Sequence, residues 1–137
     1  MSDDIYQRAI KELARAGHGA GRLDAPTVSA RLDNPLCGDR ITLDLRMDGG
    51  RIVALGHETK GCLLCLAAAS LIGREAPGRS VAELVSMHTE LLALLAGEAP
   101  FAAHWPDLAA FSPVRAHRSR HGCVLLPFRA LSAALDS

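Results

Sequence analysis

The chain has 137 residues, 49% of them hydrophobic, and its fifteen lysines and arginines balance fifteen aspartates and glutamates. That length suits one domain with a real core, residues 1–137, and is short for two. A net charge of zero removes the global field that would draw in nucleic acid or an anionic membrane, so any partner must be recognised locally.

The N-terminal stretch opens acidic and turns helical. Ile5, Ala9, Ile10 and Leu13 recur at helical spacing, with Asp3 and Asp4 in the first turn, where the macrodipole favours negative charge. This predicts an amphipathic helix over 3–16, ended by the glycines of "GHGAG" at 17–21. The stretch lacks the charged start and apolar run of a secretory signal. No apolar run reaches the ~20 residues of a membrane span, so a cytoplasmic address without membrane contact is expected.

Val28, Ala30 and Leu32 alternate with polar residues, as do Ile41, Leu43, Leu45 and Met47 with Arg40, Thr42, Asp44 and Arg46. Both runs predict strands with one buried face. "DGG" at 48–50 is a turn signal, and "RIVALGH" behind it completes a hairpin. "NPLCGD" at 34–39 becomes the loop between the first two strands.

From Cys62 the period changes. "CLLCLAAASLIGREAPG" predicts a buried helix closed by Pro77 and Gly78. Ser80 and Glu83 fit a capping box, with Leu84, His88, Leu91, Leu92 and Leu95 on one face of the next helix. Residues 97–120 predict a loop with one or two short helical turns around "PDLAAF". Val124, Phe128, Leu131 and Leu135 predict a last helix starting just after Cys123, with Pro127 in its first turn, where no intrahelical acceptor is lost. The order gives an α+β fold: a three-stranded antiparallel sheet packed against helices, one helix before the sheet and several after it.

Four cysteines, Cys37, Cys62, Cys65 and Cys123, in a chain without a secretory signal point to metal-binding or reactive thiols rather than disulfides. Cys62 and Cys123 stand at predicted helix starts, where free amides and the macrodipole favour a thiolate, the form that binds metals and attacks sulfur. Gly38, Gly61 and Gly122 flank three of the cysteines and would let the backbone approach a bound ion or sulfur. Asp39 completes a four-ligand set. Three thiolates suit zinc or an iron-sulfur cluster, and a carboxylate is the harder, weaker ligand among them, useful where cargo must be released. Against this stands the ordinary reading of a cysteine as a small buried apolar side chain.

"NPLCGDRI", "GCLLCLAAASLI" and "HGCVLLPFRAL" together resemble the scaffold proteins of iron-sulfur cluster assembly, the IscU, SufU and NifU N-terminal family. The resemblance spans nearly the whole chain and implies that Cys37, Asp39, Cys62 and Cys123 are the ligands of zinc, iron or a [2Fe-2S] cluster, held in an α+β sandwich with the site exposed at one end. It implies a cysteine desulfurase as sulfur donor and iron-sulfur acceptor proteins as recipients, with Cys37, Cys62 and Cys123 as candidate sulfur acceptors. Gly122 stands where the IscU branch has a histidine, His121 is one step further back, and the chaperone motif of that branch has no counterpart. The long stretch before Cys123 resembles the SufU branch, whose members bind zinc and accept sulfur. Two alternatives to a cluster scaffold therefore stand, a zinc-dependent sulfur acceptor and a structural zinc module that binds a partner.

Further residues carry two readings each. Cys65 is a buried helix residue or a spare thiol; Arg115, Arg118 and Arg120, with His117 and His121, form a solvated loop or a dock for an acidic surface. Lys60 could steady a thiolate at Cys62. Trp105 and Phe111 fill a hydrophobic gap or anchor a partner, as Tyr6 packs the first helix or contacts a partner. His18, His88 and His104 are expected to be ordinary surface or core histidines.

Overall fold

A computed structural model describes residues 7–36, 38–98 and 104–136. Helix α1 covers Arg8–Ala16 and buries Ile10 and Leu13; Gly17 closes it in the left-handed conformation, donating its N–H to the Leu13 carbonyl. The expected acidic first turn at Asp3 and Asp4 lies outside the described residues, as does Tyr6.

Strands β1 (Val28–Asn34), β2 (Asp39–Asp48) and β3 (Arg51–Lys60) form an antiparallel sheet in the order β1-β2-β3. Gly49 and Gly50 make the β2–β3 turn, both at positive φ (60° and 78°), as the twist of a two-residue hairpin demands. The first ladder ends on the pair Asn34–Asp39, and the second places Arg40 opposite Lys60. Ile41, Leu43, Leu45, Ile52 and Leu55 are buried. Over this sheet lie α2 (Leu63–Glu75) and α4 (His121–Leu135), packed on each other, with α1 against α2.

The expected alternation in β2 breaks at Asp44, which faces away from the helices yet is fully buried. The segment before β1 covers it. Arg22 donates to its two oxygens from Nε (2.6 Å) and Nη2 (3.1 Å), Leu23 N–H at 3.0 Å and the Ser29 hydroxyl at 2.5 Å. Burial pushes this carboxyl up, but those donors and the Arg22 charge outweigh it and hold the group below its ordinary value.

The strip His18–Gly21 is wedged between β3 and α2. Gly21 N–H donates to the His57 carbonyl (2.7 Å), His57 N–H to the Gly19 carbonyl (2.9 Å), and His18 N–H to buried Ser70 Oγ of α2 (3.0 Å). The His57 ring stands opposite Leu43 and is 5% exposed. Its Nε2 lies 3.0 Å from the His18 carbonyl and its Nδ1 2.8 Å from Thr59 Oγ1, so Nε2–H donates and Nδ1 accepts the hydroxyl.

Helix α3 (Val81–Ala96) carries the expected capping box. Glu83 N–H donates to Ser80 Oγ at 3.2 Å, and Ser80 N–H to Glu83 Oε1 at 2.9 Å. Its buried stripe is Leu84, Met87, Leu91, Leu94 and Leu95; Leu92, assigned to that face by the sequence, is exposed because the stripe steps through 87 and 94 instead. Beyond it, Pro106–Ala116 and Arg118–Arg120 are 3₁₀ helix, more regular than the expected loop. Trp105, Leu108, Phe111 and Val114 are buried at every third position, the period of a three-residue turn. Arg79 stacks on Trp105, 4.6 Å from the ring centre, and Arg74 pairs with Asp107, tying this stretch to the end of α2.

Helix α4 starts at His121, two residues before Cys123 rather than after it. Cys123 is therefore in the first turn. Pro127 is in the helix interior, where it cannot donate to the carbonyl four residues back, that of Cys123. No helix among the described residues is long and apolar enough to cross a membrane.

Candidate metal centre

Three chain segments that the sequence separates by 84 positions meet at one end of the sheet. Asp39 opens β2, Cys62 caps α2, and Cys123 lies in the first turn of α4; one ligand atom from each lies within 4.8 Å of the others. The strand–turn–helix passage from Lys60 to Leu63 brings Cys62 back over the start of β2. There its backbone N–H donates to Asp39 Oδ1 at 3.1 Å, and its sulfur lies 3.8 Å from Oδ2. One carboxylate thus anchors a helix N-terminus through one oxygen and faces a thiol with the other.

Burial grades the set. Asp39 is 2% and Cys123 0% exposed, while Cys62 is half-buried. A cleft of about 380 Å³ opens beside Asp39, lined by Asp33, Asn34, Pro35, Gly38, Arg40 and Lys60. Lys60 therefore faces the approach to the site, and Arg40 pairs with Asp33 at 2.6 Å along its wall.

The donor set fits a thiophilic ion. Around a tetrahedral zinc with bonds of about 2.3 Å, two thiolates stand about 3.8 Å apart, so these side chains need only about an ångström of adjustment. Carboxylate with thiolate suits zinc and iron alike.

Cys37, the remaining member of the expected set, lies outside the described residues. Its neighbours frame a tight loop. Asn34 accepts the Leu36 N–H on Oδ1 (3.2 Å) and the Gly38 N–H on its backbone carbonyl (2.8 Å), and Gly38 takes φ 73°.

The glycines beside Cys62 and Cys123 serve the protein's own side chains. A Cβ on Gly61 would stand 2.6 Å from Asp39 Oδ1, and one on Gly122 would stand 2.9 Å from Asn34 Nδ2. The sequence assigns Gly61 and Gly122 to close backbone approach of an ion or sulfur, whereas here they make room for Asp39 and Asn34; Asn34 itself carries no signal beyond the "NP" before the loop.

His121 is not in the set. Its Nε2–H points at the Val114 and Arg115 carbonyls (3.1 and 3.0 Å), closing the 3₁₀ segment. Cys65 is fully buried in the core. Trp105 and Phe111 are buried too, so neither stands out as an anchor, whereas Arg115 and Arg118 are exposed. The ring of His88 meets Ser132 Oγ at 3.0 Å and that of His104 meets Glu90 at 2.8 Å, both away from the site.

The sequence matches the family described as the NifU-like N terminal domain over residues 5–111. It is 30% identical over 131 residues to the iron-sulfur cluster assembly scaffold protein IscU of Thermotoga maritima, covering 96% of this chain and 92% of that protein. It is 26% identical over 130 residues to the zinc-dependent sulfurtransferase SufU of Bacillus subtilis, covering 94% and 88%. The fold is similar to the crystal structure of a nitrogen-fixing NifU-like protein (N-terminal) from Brucella abortus, with a TM-score of 0.93 and 31% identity over 98% of this chain and 94% of that one.

Proposed function

Because the chain belongs to the NifU-like N-terminal domain family of iron-sulfur cluster assembly scaffolds, we propose that it receives sulfur from a cysteine desulfurase and assembles iron or a [2Fe-2S] cluster for transfer to acceptor proteins. The ligands in this reading are Cys37, Asp39, Cys62 and Cys123. The observation that carries it is the convergence of Asp39, Cys62 and Cys123 beside an open cleft.

In sulfur receipt, a thiolate of this chain attacks the outer sulfur of the donor's persulfide. A new S–S bond forms, the donor's S–S bond breaks, and its electron pair leaves on the desulfurase cysteine, so no net oxidant is needed. Exposure ranks the acceptors: half-buried Cys62 is open to a donor where buried Cys123 is not. Pro35 and Gly38, on either side of Cys37 in the sequence, line the cleft. A bound zinc or iron would keep the thiols deprotonated and adjacent. Asp39, a harder ligand than sulfur, is the one suited to let go.

A second reading, a zinc-dependent sulfurtransferase that hands sulfur onward without building a cluster, is favoured by the similarity to SufU and by His121, which is turned away from the set. The test is anaerobic purification with assay of metal and acid-labile sulfide, repeated after incubation with a cysteine desulfurase, cysteine and ferrous iron. About one cluster per chain, lost in Cys37→Ser, supports the scaffold. Retained zinc without sulfide, together with faster desulfurase turnover, favours the transferase. Zinc with neither effect overturns both and leaves a structural zinc module.

A further inference from the structure

We propose that Asn34 is a positioning residue for Cys123, its carboxamide setting how closely the start of α4 approaches the Asp39–Cys62 pair, and that Gly122 is what leaves this approach open. The inference rests on the metal-binding reading above.

Asn34 and Asp39 are register partners at the end of the β1–β2 ladder, and each receives a Gly-Cys step that begins a helix. Gly61 abuts the Asp39 carboxylate and is followed by Cys62; Gly122 abuts the Asn34 amide and is followed by Cys123. One strand-end pair therefore seats both helix starts.

The Asn34 carboxamide is tied on its other side, where Oδ1 accepts the Leu36 N–H at 3.2 Å. A methyl on residue 122 would come within 2.9 Å of Nδ2, closer than side-chain carbons approach other atoms. Swinging the carboxamide aside would break the hydrogen bond that the Leu36 N–H donates to Oδ1, the tie that holds the amide in place. The strain would pass instead to the α4 start, and Cys123, buried and adjacent, would move with it. Alanine is otherwise the better helix former, so Gly122→Ala has no cause to weaken α4 itself.

The test is a two-by-two comparison of wild type, G122A, N34A and the double variant. The readouts are zinc affinity by competition with a chromogenic chelator and thermal unfolding of each metal-free protein. The expected result is that G122A weakens zinc binding by about tenfold, in the range found for groups that orient metal ligands. In the N34A background, where the obstructing amide is gone, the same substitution should have little effect. An equal effect in both backgrounds, no effect in either, or a loss that tracks unfolding of the metal-free protein would overturn the inference. Wild type that takes up no zinc would instead sink the metal reading, and this inference with it.

Discussion

The carboxylate of Asp39 occupies the space that a side chain on residue 61 would need: a Cβ there would lie 2.6 Å from Oδ1 and 2.8 Å from Cγ. The same oxygen accepts the Cys62 N–H at 3.1 Å. Gly61→Ala should therefore displace the carboxylate, leave the α2 amide without its acceptor and cost about 1–3 kcal/mol. Urea unfolding of the metal-free protein checks this; an unchanged midpoint would show that the bond from the Cys62 N–H to Asp39 adds nothing to stability.

Replacing Asp39 itself separates its two tasks. Asp39→Ala keeps the space beside Gly61 but removes both the helix anchor and the hard ligand. Lower stability of the metal-free protein is expected, together with slower loss of bound metal or cluster to a chelator, because sulfur ligands release a thiophilic cargo less readily. Faster loss would mean that Asp39 retains the cargo.

His57 links stability to pH. Burial pushes its imidazole below the ordinary 6.5, with the His18 carbonyl opposing that only in part. The unfolded chain then binds more protons than the folded one below about pH 6.5, so stability is full above that value and falls as the pH drops towards the folded value. His88, lowered by burial and by the Arg129 charge, acts in the same direction. Urea midpoints at about pH 7.5 and 5.5 should fall on acidification in wild type and fall less in His57→Gln, which keeps a donor for the His18 carbonyl. An equal fall in both would remove His57 from the account.

Cys65 offers the control for the thiols. It is fully buried in the core and outside the set formed by Asp39, Cys62 and Cys123. Cys65→Ala should cost about 1 kcal/mol through the lost sulfur packing while leaving zinc stoichiometry and sulfur uptake unchanged. A drop in either would give Cys65 a role in sulfur handling.

By itself the sequence determined the order of elements, since strand alternation, the Gly49–Gly50 turn and the Ser80–Glu83 box are local signals written in adjacent residues. It marked Asp39, Cys62 and Cys123 as chemically suited, because each stands beside a glycine at an element boundary. The period of three through Trp105, Leu108, Phe111 and Val114 was also present, but a helix-or-strand reading has no place for it. Other features depended on chain segments meeting. Asp44 looked like a solvated strand residue until Arg22, Leu23 and Ser29 closed over it, and His57 became a buried clamp only because the strip after α1 docks on β3. The start of α4 moved to His121 because the ring of that residue caps the preceding 3₁₀ carbonyls, a contact that helical periodicity cannot foresee. The same holds at the site. Residue types set which groups can hold a thiophilic ion, but only the tertiary structure, by pairing Asn34 with Asp39 and seating Gly122 and Gly61 against them, decides how close those groups come, because close packing fixes distances that spacing along a chain leaves open.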